Sequence, residues 1–480
     1  MLRKIGLTIA VLLALCLGAV SQTVQVLAHQ PPDGAGIAFL LTDGTVLAQG
    51  NLGSDWWKLI PDSTGSYVNG TWLQMASLPT GYAPDAFASA VLPDGRLVIS
   101  GGEYNNGNFL LTNLGAIYDP KANTWTAIPA PAGWNTIGDS PSVVRANGNF
   151  IVGQKLTESV AEFEPTTLTW TVLKSTGKNH FNSEEGWTLM PDRTILTADV
   201  KTAPNSEVYS PVTGTWSSAG STIVDLHSPT TVTGCLPYPG GCYYPPGEIG
   251  PQILRPDGTV FVAGSTPKGG KSGHTAVYHP ASGTTPAKWV VGPDFPTGDD
   301  AGDSSAVLLP SGNVLVYGNS GTDYEFDGTN LKATSITAGT PILILPTGQA
   351  FVEGSSVGVY NATGTYQAAW APVITKFPAT VTRGSTYSIS GKQFNGLSQA
   401  AAFGDEFETA TNYPLVRITN STTGHVFYAK THDHSTMAVA TGSQIVSTSF
   451  DVPADVETGT CTLQVVANGI PSKAVTVTVN

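Results

Sequence analysis

Charged side chains are scarce in this 480-residue chain, since aspartate, glutamate, lysine and arginine together make up 12% of it. Those present are unbalanced and give a formal net charge of −13, which argues against nucleic acid or an anionic membrane surface as a partner. Heptads and long segments of helical period are also missing. The 54 glycines and 34 prolines instead favour many short strands joined by turns.

Long apolar runs are absent beyond the first residues, so the sequence predicts no membrane span. Two basic residues and the apolar run 5–17, followed by small residues, predict a signal peptide over residues 1–21. Cleavage before Gln22 is favoured, and cleavage after Ala28 is the alternative. The mature chain is therefore expected to be secreted or periplasmic.

Cysteine is rare, with four residues in the chain. Cys16 lies in the predicted signal peptide. Cys235 and Cys242 flank a short loop and are expected to form a disulfide in an oxidising compartment, with metal binding as the alternative. Cys461 lies in a predicted strand and is expected to be a small buried side chain.

Familiar catalytic signatures are missing as well. The chain has no nucleophile elbow, no His-Glu-x-x-His and no phosphate-binding glycine loop. This argues against the enzyme classes that depend on those motifs. It leaves carboxylates and a few histidines as the candidate functional groups.

What the chain does contain is a repeated hairpin. The stretch Leu-Pro-Asp-Gly-Arg-Leu-Val-Ile-Ser-Gly-Gly at 92–102 has a turn sequence between apolar flanks and predicts two buried strands joined by a tight turn. About seven copies recur at intervals of about 35–65 residues, the range of propeller blades. The copies begin at Leu41, Leu92, Arg145, Met190, Arg255, Leu309 and Leu345.

A second element follows most copies and consists of an aromatic residue, a turn and a tryptophan. It predicts an outer hairpin in the same repeat, with the aromatic side chains packing between sheets rather than binding a ligand. Four strands per repeat predict an all-β fold, a seven-bladed kelch-like β-propeller over residues 30–371. The pairs are Tyr118 and Trp125, Phe163 and Trp170, Tyr209 and Trp216, Tyr278 and Trp289, and Tyr360 and Trp370.

The pattern changes at residue 372. Seven short alternating segments over residues 372–480 predict an immunoglobulin-like β-sandwich of the E-set type. Four motifs occur there in a fixed order. They are Asn412-Tyr-Pro-Leu-Val-Arg417, Lys430-Thr-His432, Val452-Pro-Ala-Asp455 and Asn468-Gly-Ile-Pro471.

A kelch-type propeller followed by such a domain resembles the galactose oxidase and glyoxal oxidase superfamily, over nearly the whole mature chain. The resemblance implies a copper-radical oxidase with a Cys–Tyr thioether cofactor, and it implies that His432 is a copper ligand at the propeller axis. The other ligand positions differ. Asp303-Ser304 stand where the family has Tyr-His, Asp139 stands where the cross-linked tyrosine belongs, and residues 84–89 contain no cysteine. The copper-radical cofactor is therefore not expected.

Acidic residues instead mark the starts of the predicted inner strands. Equivalent positions in different repeats should face one axis, so these acids predict a ring of carboxylates that binds a ligand. The alternative is that each acid caps its own turn. The candidates are Asp85, Asp139, Glu184, Glu185, Glu248 and Asp303.

Histidines could complete this ring. His432 and His434 lie close together in the C-terminal region, and His180 and His227 are further candidates. A site of His432 with Asp139, Glu185 and Asp303 would suit a divalent cation such as Mn, Fe, Zn or Ca. The alternative is a structural histidine between the two domains.

Three hypotheses for function follow. The favoured one is a secreted protein that binds extracellular glycan or cell-wall polymer at the acidic axial face, without copper-radical oxidase activity. The second is a carbohydrate-active or oxidase-type metalloenzyme at the same site. The third is a protein–protein interaction scaffold.

Overall fold

Short β-strands make up nearly all the regular structure of the chain. The computed structural model describes residues 22–480 except 52, 341–342, 405 and 407. The predicted signal peptide, residues 1–21, lies outside them. Among the described residues, no helix is long and apolar enough to cross a membrane. One short 3₁₀ helix, Ala368–Trp370, separates the two parts of the fold.

Seven antiparallel sheets of the described chain share one order, in which four strands follow each other from the inside outwards. In the first to third sheets the strands are Ile37–Leu40, Val46–Gln49, Trp56–Ile60 and Thr71–Gln74; Ala88–Val91, Leu97–Ser100, Gly115–Asp119 and Thr124–Ala127; and Ser142–Val144, Phe150–Gly153, Val160–Glu164 and Thr169–Leu173. In the fourth to sixth they are Thr188–Leu189, Ile195–Ala198, Asn205–Ser210 and Thr215–Ser221; Gln252–Leu254, Val260–Ala263, Thr275–His279 and Lys288–Val291; and Ser305–Leu308, Val314–Tyr317, Asp323–Phe326 and Leu331–Ala333. In the seventh they are Leu343–Ile344, Ala350–Glu353, Val357–Asn361 and the N-terminal strand Thr23–Val26.

The repeated turn motif forms the hairpin between the two inner strands of its sheet. In the second sheet, Leu92 N–H donates to Arg96 O at 2.8 Å, and Gly95 N–H donates to Leu92 O at 2.9 Å. Gly95 has a φ of +82°, the left-handed region that favours glycine. The flanking strands are fully buried. The prediction of a buried hairpin is confirmed here.

The aromatic pairs also repeat. Each aromatic residue of the third strand lies directly opposite the tryptophan of the fourth strand, and the ring centroids are 5.0–5.2 Å apart. These rings pack within and between sheets, as predicted. The four pairs are Tyr118 and Trp125, Phe163 and Trp170, Tyr209 and Trp216, and Tyr278 and Trp289.

The seventh sheet departs from the prediction at its outer edge. Its fourth strand is the N-terminal strand Thr23–Val26, in which Val24 lies opposite Tyr360. Trp370 is therefore not the strand partner of Tyr360, and it lies in the 3₁₀ helix instead. The predicted start of this part of the fold at residue 30 omits that strand, because the strand carries none of the turn motifs.

The innermost strands pack against one another from sheet to sheet. That of the second sheet contacts that of the third, and the fourth to seventh are linked in the same way. The innermost strand of the seventh sheet, Leu343–Ile344, also contacts that of the first, Ile37–Leu40. The sheets therefore surround a common axis in an all-β, propeller-like arrangement.

The C-terminal region forms one continuous nine-stranded sheet, in two halves, around a core of its own. The strand Val426–His432 belongs to both, since its first half pairs with residues 416–419 and its second half with residues 449–451. The strands are Val373–Lys376, Thr380–Val381, Thr386–Lys392, Leu415–Asn420, Val426–His432, Val446–Asp451, Gly459–Ala467, Ile470–Pro471 and Val475–Val479.

The C-terminal region docks on the face that carries the inner hairpin turns. Thr431 N–H donates to Thr42 O at 3.1 Å and His434 N–H donates to Pro93 O at 3.2 Å. Met437 N–H donates to the third turn, at Ala146 O, at 3.1 Å. The starts of the inner strands lie at the other end of those strands, about 20 Å away at 3.3 Å per residue.

One C-terminal segment leaves this interface and runs along the axis. Its strand Ala401–Phe403 pairs with the inner strand of the sixth sheet, and Ser305 lies opposite Phe403. Farther on, Gly186 lies so close to Gly404 O that a Cβ there would approach this oxygen to 2.4 Å. This axial segment brings Glu406 to the strand-start face, where it hydrogen-bonds Asp303.

Candidate functional site

Three of the predicted acids occupy one equivalent position. Asp139, Glu184 and Asp303 each lie six residues before the first residue of the repeated turn motif in their sheets. Glu184 and Asp303 have φ values of +60° and +51°, which non-glycine residues rarely adopt. The shared position in three sheets of one ring brings these carboxyls toward the axis.

A buried lysine holds two of these acids together. Lys155 has a side chain that is 0% exposed, and its Nζ donates to Glu184 Oε1 at 2.7 Å and to Asp139 Oδ2. Asp139 and Glu184 are themselves buried. Because an isolated buried charge is very costly, this shared cation makes the burial of the acids tolerable.

The backbone around Lys155 explains why it reaches this position. Lys155 follows the buried strand Phe150–Gly153, and its N–H donates to Ile137 O at 3.0 Å. Gly138 lies against its stem, and a Cβ on Gly138 would meet Lys155 Cβ and Cδ at 3.1 Å. The missing Cβ lets the lysine pass between the third and fourth sheets.

A tyrosine from an inserted hairpin completes the buried centre. Tyr243 OH donates to Glu184 Oε1 and contacts Ser183 Oγ, and its ring centroid lies 5.1 Å from Lys155 Nζ. The hairpin of Leu236–Tyr238 and Gly241–Tyr243 is bridged by the disulfide between Cys235 and Cys242. The disulfide prediction is therefore confirmed, and the bridge constrains the loop that positions Tyr243.

More acids surround this centre and bring negative charge to the surface. Glu103 interacts electrostatically with Lys155, Glu184 and Asp303. Asp85 and Asp303 are exposed, and the negative charges of their carboxylates repel each other. We call the six acids around Lys155 the axial acidic cluster. They are Asp85, Glu103, Asp139, Glu184, Asp303 and Glu406.

Desolvation by the surrounding protein is the main cause of the perturbed acidities in this cluster. It raises the pKa of Asp139 well above its usual value, and the nearby Glu103 charge adds to this while Lys155 opposes it. Asp303 is exposed on one side, but the protein around its other sides desolvates the carboxyl, and this desolvation together with the charge of Glu184 raises its pKa. Burial and the neighbouring Glu103 raise the pKa of Tyr104, at the edge of the cluster, to about 12. The cluster therefore resists carrying its full negative charge.

Glu185 does not belong to this cluster, although it was predicted to. Glu184 lies in a turn with a φ of +60°, before the inner strand begins at Thr188, and the next side chain, Glu185, has a different partner. Its Oε2 accepts a hydrogen bond from Lys178 Nζ at 2.8 Å, and Lys178 also donates to Glu207 at 2.7 Å. Glu185 is thus part of a second buried network, within the fourth sheet.

Two other predicted acids, Asp85 and Glu248, precede the inner strands of the second and fifth sheets. Asp85 accepts a hydrogen bond from the N–H of Ala86 at 3.0 Å and thereby caps its own turn, while still bordering the cluster. Glu248 is half-buried, and its backbone pairs with Ser228 through an N–H···O bond of 2.8 Å. The local-turn alternative therefore describes Asp85.

The structure does not bring His432 or His434 to the axial acids. Both lie on the C-terminal region that covers the opposite, hairpin-turn face. His432 pairs with Asp433 at 2.8 Å and with Asp451 at 3.2 Å. His434 is buried beside Thr448 and Tyr413, and burial lowers its pKa to about 3. The prediction that His432 shares a site with Asp139, Glu185 and Asp303 is corrected accordingly.

The remaining candidate histidines are also local. His227 pairs with Asp225 at 2.6 Å, and His180 packs edge-on against Phe181. Within the described parts of the chain, no group of three or more histidine, cysteine, aspartate or glutamate side chains is arranged to hold a metal ion.

Sequence reasoning missed Lys155, Glu103, Tyr104 and Tyr243. Lys155 could have been noticed in the sequence, because a lysine two residues after a buried strand is unusual in a chain with 22 basic residues. Tyr243 could also have been noticed, since it immediately follows a cysteine of the predicted disulfide. Glu103 and Tyr104 lie in a loop of the second sheet that has no distinguishing motif.

Comparison with known proteins supports the fold and no more. No protein-family model and no curated protein sequence matches the chain. Among solved structures, a copper-bound fungal alcohol oxidase of the AA5 family is similar over 94% of this chain and 98% of its own, with 14% identity and a TM-score of 0.50.

Two further solved structures match this chain over part of their length or of its length. An extracellular domain of a hybrid two-component system from B. thetaiotaomicron matches over 96% of this chain and 60% of its own, at 10% identity and a TM-score of 0.48. Virginiamycin B lyase from Staphylococcus aureus matches over 72% of this chain and 99% of its own, at 11% identity and a TM-score of 0.45. The similarity to the alcohol oxidase supports a galactose-oxidase-like, propeller-type fold at low sequence identity.

Proposed function

We propose that this chain is a secreted, seven-bladed kelch-type propeller with an immunoglobulin-like C-terminal domain, and that it binds extracellular glycan at the axial acidic cluster. The observation that carries this proposal is the buried Lys155. Its ammonium group holds the buried side chains of Asp139 and Glu184 in fixed positions. The exposed acids Asp85 and Asp303 lie at the surface of this rigid centre.

The chemistry of the exposed groups suits a polyhydroxylated ligand. Carboxylates accept short, charge-assisted hydrogen bonds from hydroxyl groups. The exposed carboxylates of Asp303 and Asp85 can therefore accept hydrogen bonds from a bound sugar. Tyr104, which is 38% exposed, adds an aromatic surface on which the apolar face of a sugar ring can pack. The excess of acids over the single lysine disfavours an anionic ligand.

The residues of this site do not fit the copper-radical cofactor of the oxidases that the chain resembles. That cofactor requires a cysteine cross-linked to a tyrosine, and Cys235 and Cys242 are bonded to each other. Cys461 is buried in the core of the C-terminal region. His432, the ligand that the resemblance implied, lies on the opposite face. We therefore propose binding without copper-radical oxidation.

Binding is tested by titrating the mature protein with neutral plant and microbial oligosaccharides in a calorimeter. Asp303→Asn should weaken binding about tenfold, because an amide replaces a charged acceptor by a neutral one. Asp455→Asn removes the same charge from an exposed site in the C-terminal region and should leave affinity unchanged. Equal affinities for both variants, or peroxide production from galactose or glyoxal by copper-loaded protein, would contradict the proposal.

A further inference from the structure

An aromatic pocket lies directly beside the axial acidic cluster. It has a volume of about 320 Å³, and its walls include Phe181, Lys201, Tyr238, Tyr243 and Tyr244. Tyr244 is 64% exposed, so one wall of the pocket is an open aromatic face. The pocket is at the small end of the range of ligand sites, whose walls are mainly aromatic and apolar with a few polar groups.

Tyr243 belongs to both the pocket and the cluster. Its hydroxyl contacts Glu184 at the axis, while its ring forms part of the pocket wall. On the axial side its ring stacks with Phe109 at 6.5 Å, and Phe109 meets Tyr104 edge-on at 5.9 Å. Aromatic side chains therefore continue from the edge of the acidic cluster, across Tyr243, into the pocket.

The two halves differ in charge. The cluster contains six acids and one lysine, whereas the charged side chain that lines the pocket is Lys201, which lies 5.9 Å from the ring centroid of Phe181. An anionic chain would be repelled at the cluster, and a cationic chain would meet Lys201 in the pocket. A neutral, polyhydroxylated chain is compatible with both halves, because its C–H faces pack on aromatic rings and its hydroxyls bind carboxylates.

From this continuity we infer that the pocket is a second subsite for the same ligand, and that the ligand is a neutral, linear glycan long enough to reach from the axial acidic cluster to Tyr244. The inference rests on the proposed glycan binding and adds the ligand's length and charge. The disulfide between Cys235 and Cys242 holds the hairpin that supplies Tyr238 and Tyr243, so this wall is preorganised.

The test is a calorimetric length series on the mature protein, using linear β-1,4-linked glucan, xylan and mannan oligosaccharides of one to six units, with polygalacturonate oligomers as the anionic counterpart. For the bound neutral series, affinity should rise at least tenfold between two and six units. Tyr244→Ala should remove most of that gain and leave the disaccharide affinity within about twofold. Tyr366→Ala, a tyrosine beyond the seventh sheet, should change neither.

The outcomes separate the two proposals. Binding that depends on Asp303 but not on chain length or Tyr244 overturns the second subsite and leaves the axial site standing. Length-dependent binding that requires Tyr244 but ignores Asp303→Asn overturns the axial site instead. Preference for polygalacturonate, or no binding of any neutral oligomer, overturns the inference.

Discussion

Two buried lysines of this protein have similar surroundings, but only one of them holds a network that reaches exposed acids. Lys155 and Lys178 both have side chains that are 0% exposed, and each holds two or more carboxylates together. Each also lies over an aromatic ring, Lys155 at 5.1 Å from Tyr243 and Lys178 at 4.8 Å from Trp216.

The networks differ in where they end. Around Lys178 the acids Glu185, Glu207 and Asp199 are all buried, and Trp216 belongs to the regular aromatic pairs of the sheets. We call these residues the closed network, and Lys155 with the axial acidic cluster the open network. Around Lys155 the acids continue to the exposed Asp85 and Asp303. The comparison teaches that a buried ion network by itself indicates sheet packing. The candidate function lies in the exposed groups that such a network positions.

Replacing Lys178 in the closed network should cause the largest loss of stability. Lys178→Met leaves three buried acidic side chains without their cation, and it should lower the free energy of unfolding by about 3–5 kcal/mol. Lys332→Met should cost at most about 1 kcal/mol, because that side chain is 67% exposed. Urea denaturation measures both, and equal losses would show that Lys178 is not needed to compensate the buried acids.

Replacing Lys155 in the open network should lower glycan affinity more than it lowers the stability of the fold. Lys155→Met should destabilise the protein less than Lys178→Met, since some of its acids are solvated, but it should weaken glycan binding by tenfold or more. Lys178→Met, assayed at a temperature where it remains folded, should bind within about twofold of the parent. If both variants bind alike, the two networks do not differ in the way proposed here.

The closed network should also make stability depend on pH. Burial raises the pKa of Glu185 from 4.5 to about 8. Between these values the unfolded chain releases a proton that the folded chain retains, so the free energy of unfolding should fall as pH rises and level off above about pH 8. Glu185→Gln should flatten this decline, whereas Glu158→Gln, at an exposed position, should not. Thermal unfolding from pH 5 to 9 gives the comparison.

Removing the disulfide should have the smallest effect on stability. Its effect on binding should be confined to the aromatic pocket beside the axial acidic cluster. Its loop has a sequence separation of 7 residues, so replacing both cysteines by alanine should cost no more than about 2–3 kcal/mol. Binding of the six-unit glycan should weaken more than binding of the disaccharide, because Tyr238 and Tyr243 lose their support. Unreduced peptide mass spectrometry should show the bridge as a loss of two hydrogens.

Local sequence patterns predicted the repeating part of the fold well. Turns such as the one at Gly95 and cross-strand pairs such as Tyr118 and Trp125 depend on neighbours within a few residues. The strand Thr23–Val26 could not be placed in this way, because its partner is far along the chain. The axial segment was likewise missed, since Ala401–Phe403 resembles any short apolar strand.

The candidate site was predictable only in part. Asp139, Glu184 and Asp303 share a position in the repeat, so their convergence followed from symmetry. Lys155 comes from a loop and meets these acids only through the packing of neighbouring sheets. The assignment of His432 to the axis came from the order of C-terminal motifs, and that order does not reveal which segment of the C-terminal region runs along the axis.

The N-terminal strand has a consequence for how the chain is made. Hydrogen bonds join Thr23 to Asn361, 338 residues away. During synthesis the strand Thr23–Val26 must therefore wait, unpaired, until nearly the whole ring has been produced. Such distant pairing is slow, because closing a long loop costs entropy before the contact forms. A nascent chain interrupted before residue 357 would retain an open sheet edge, and open edges are sites of aggregation.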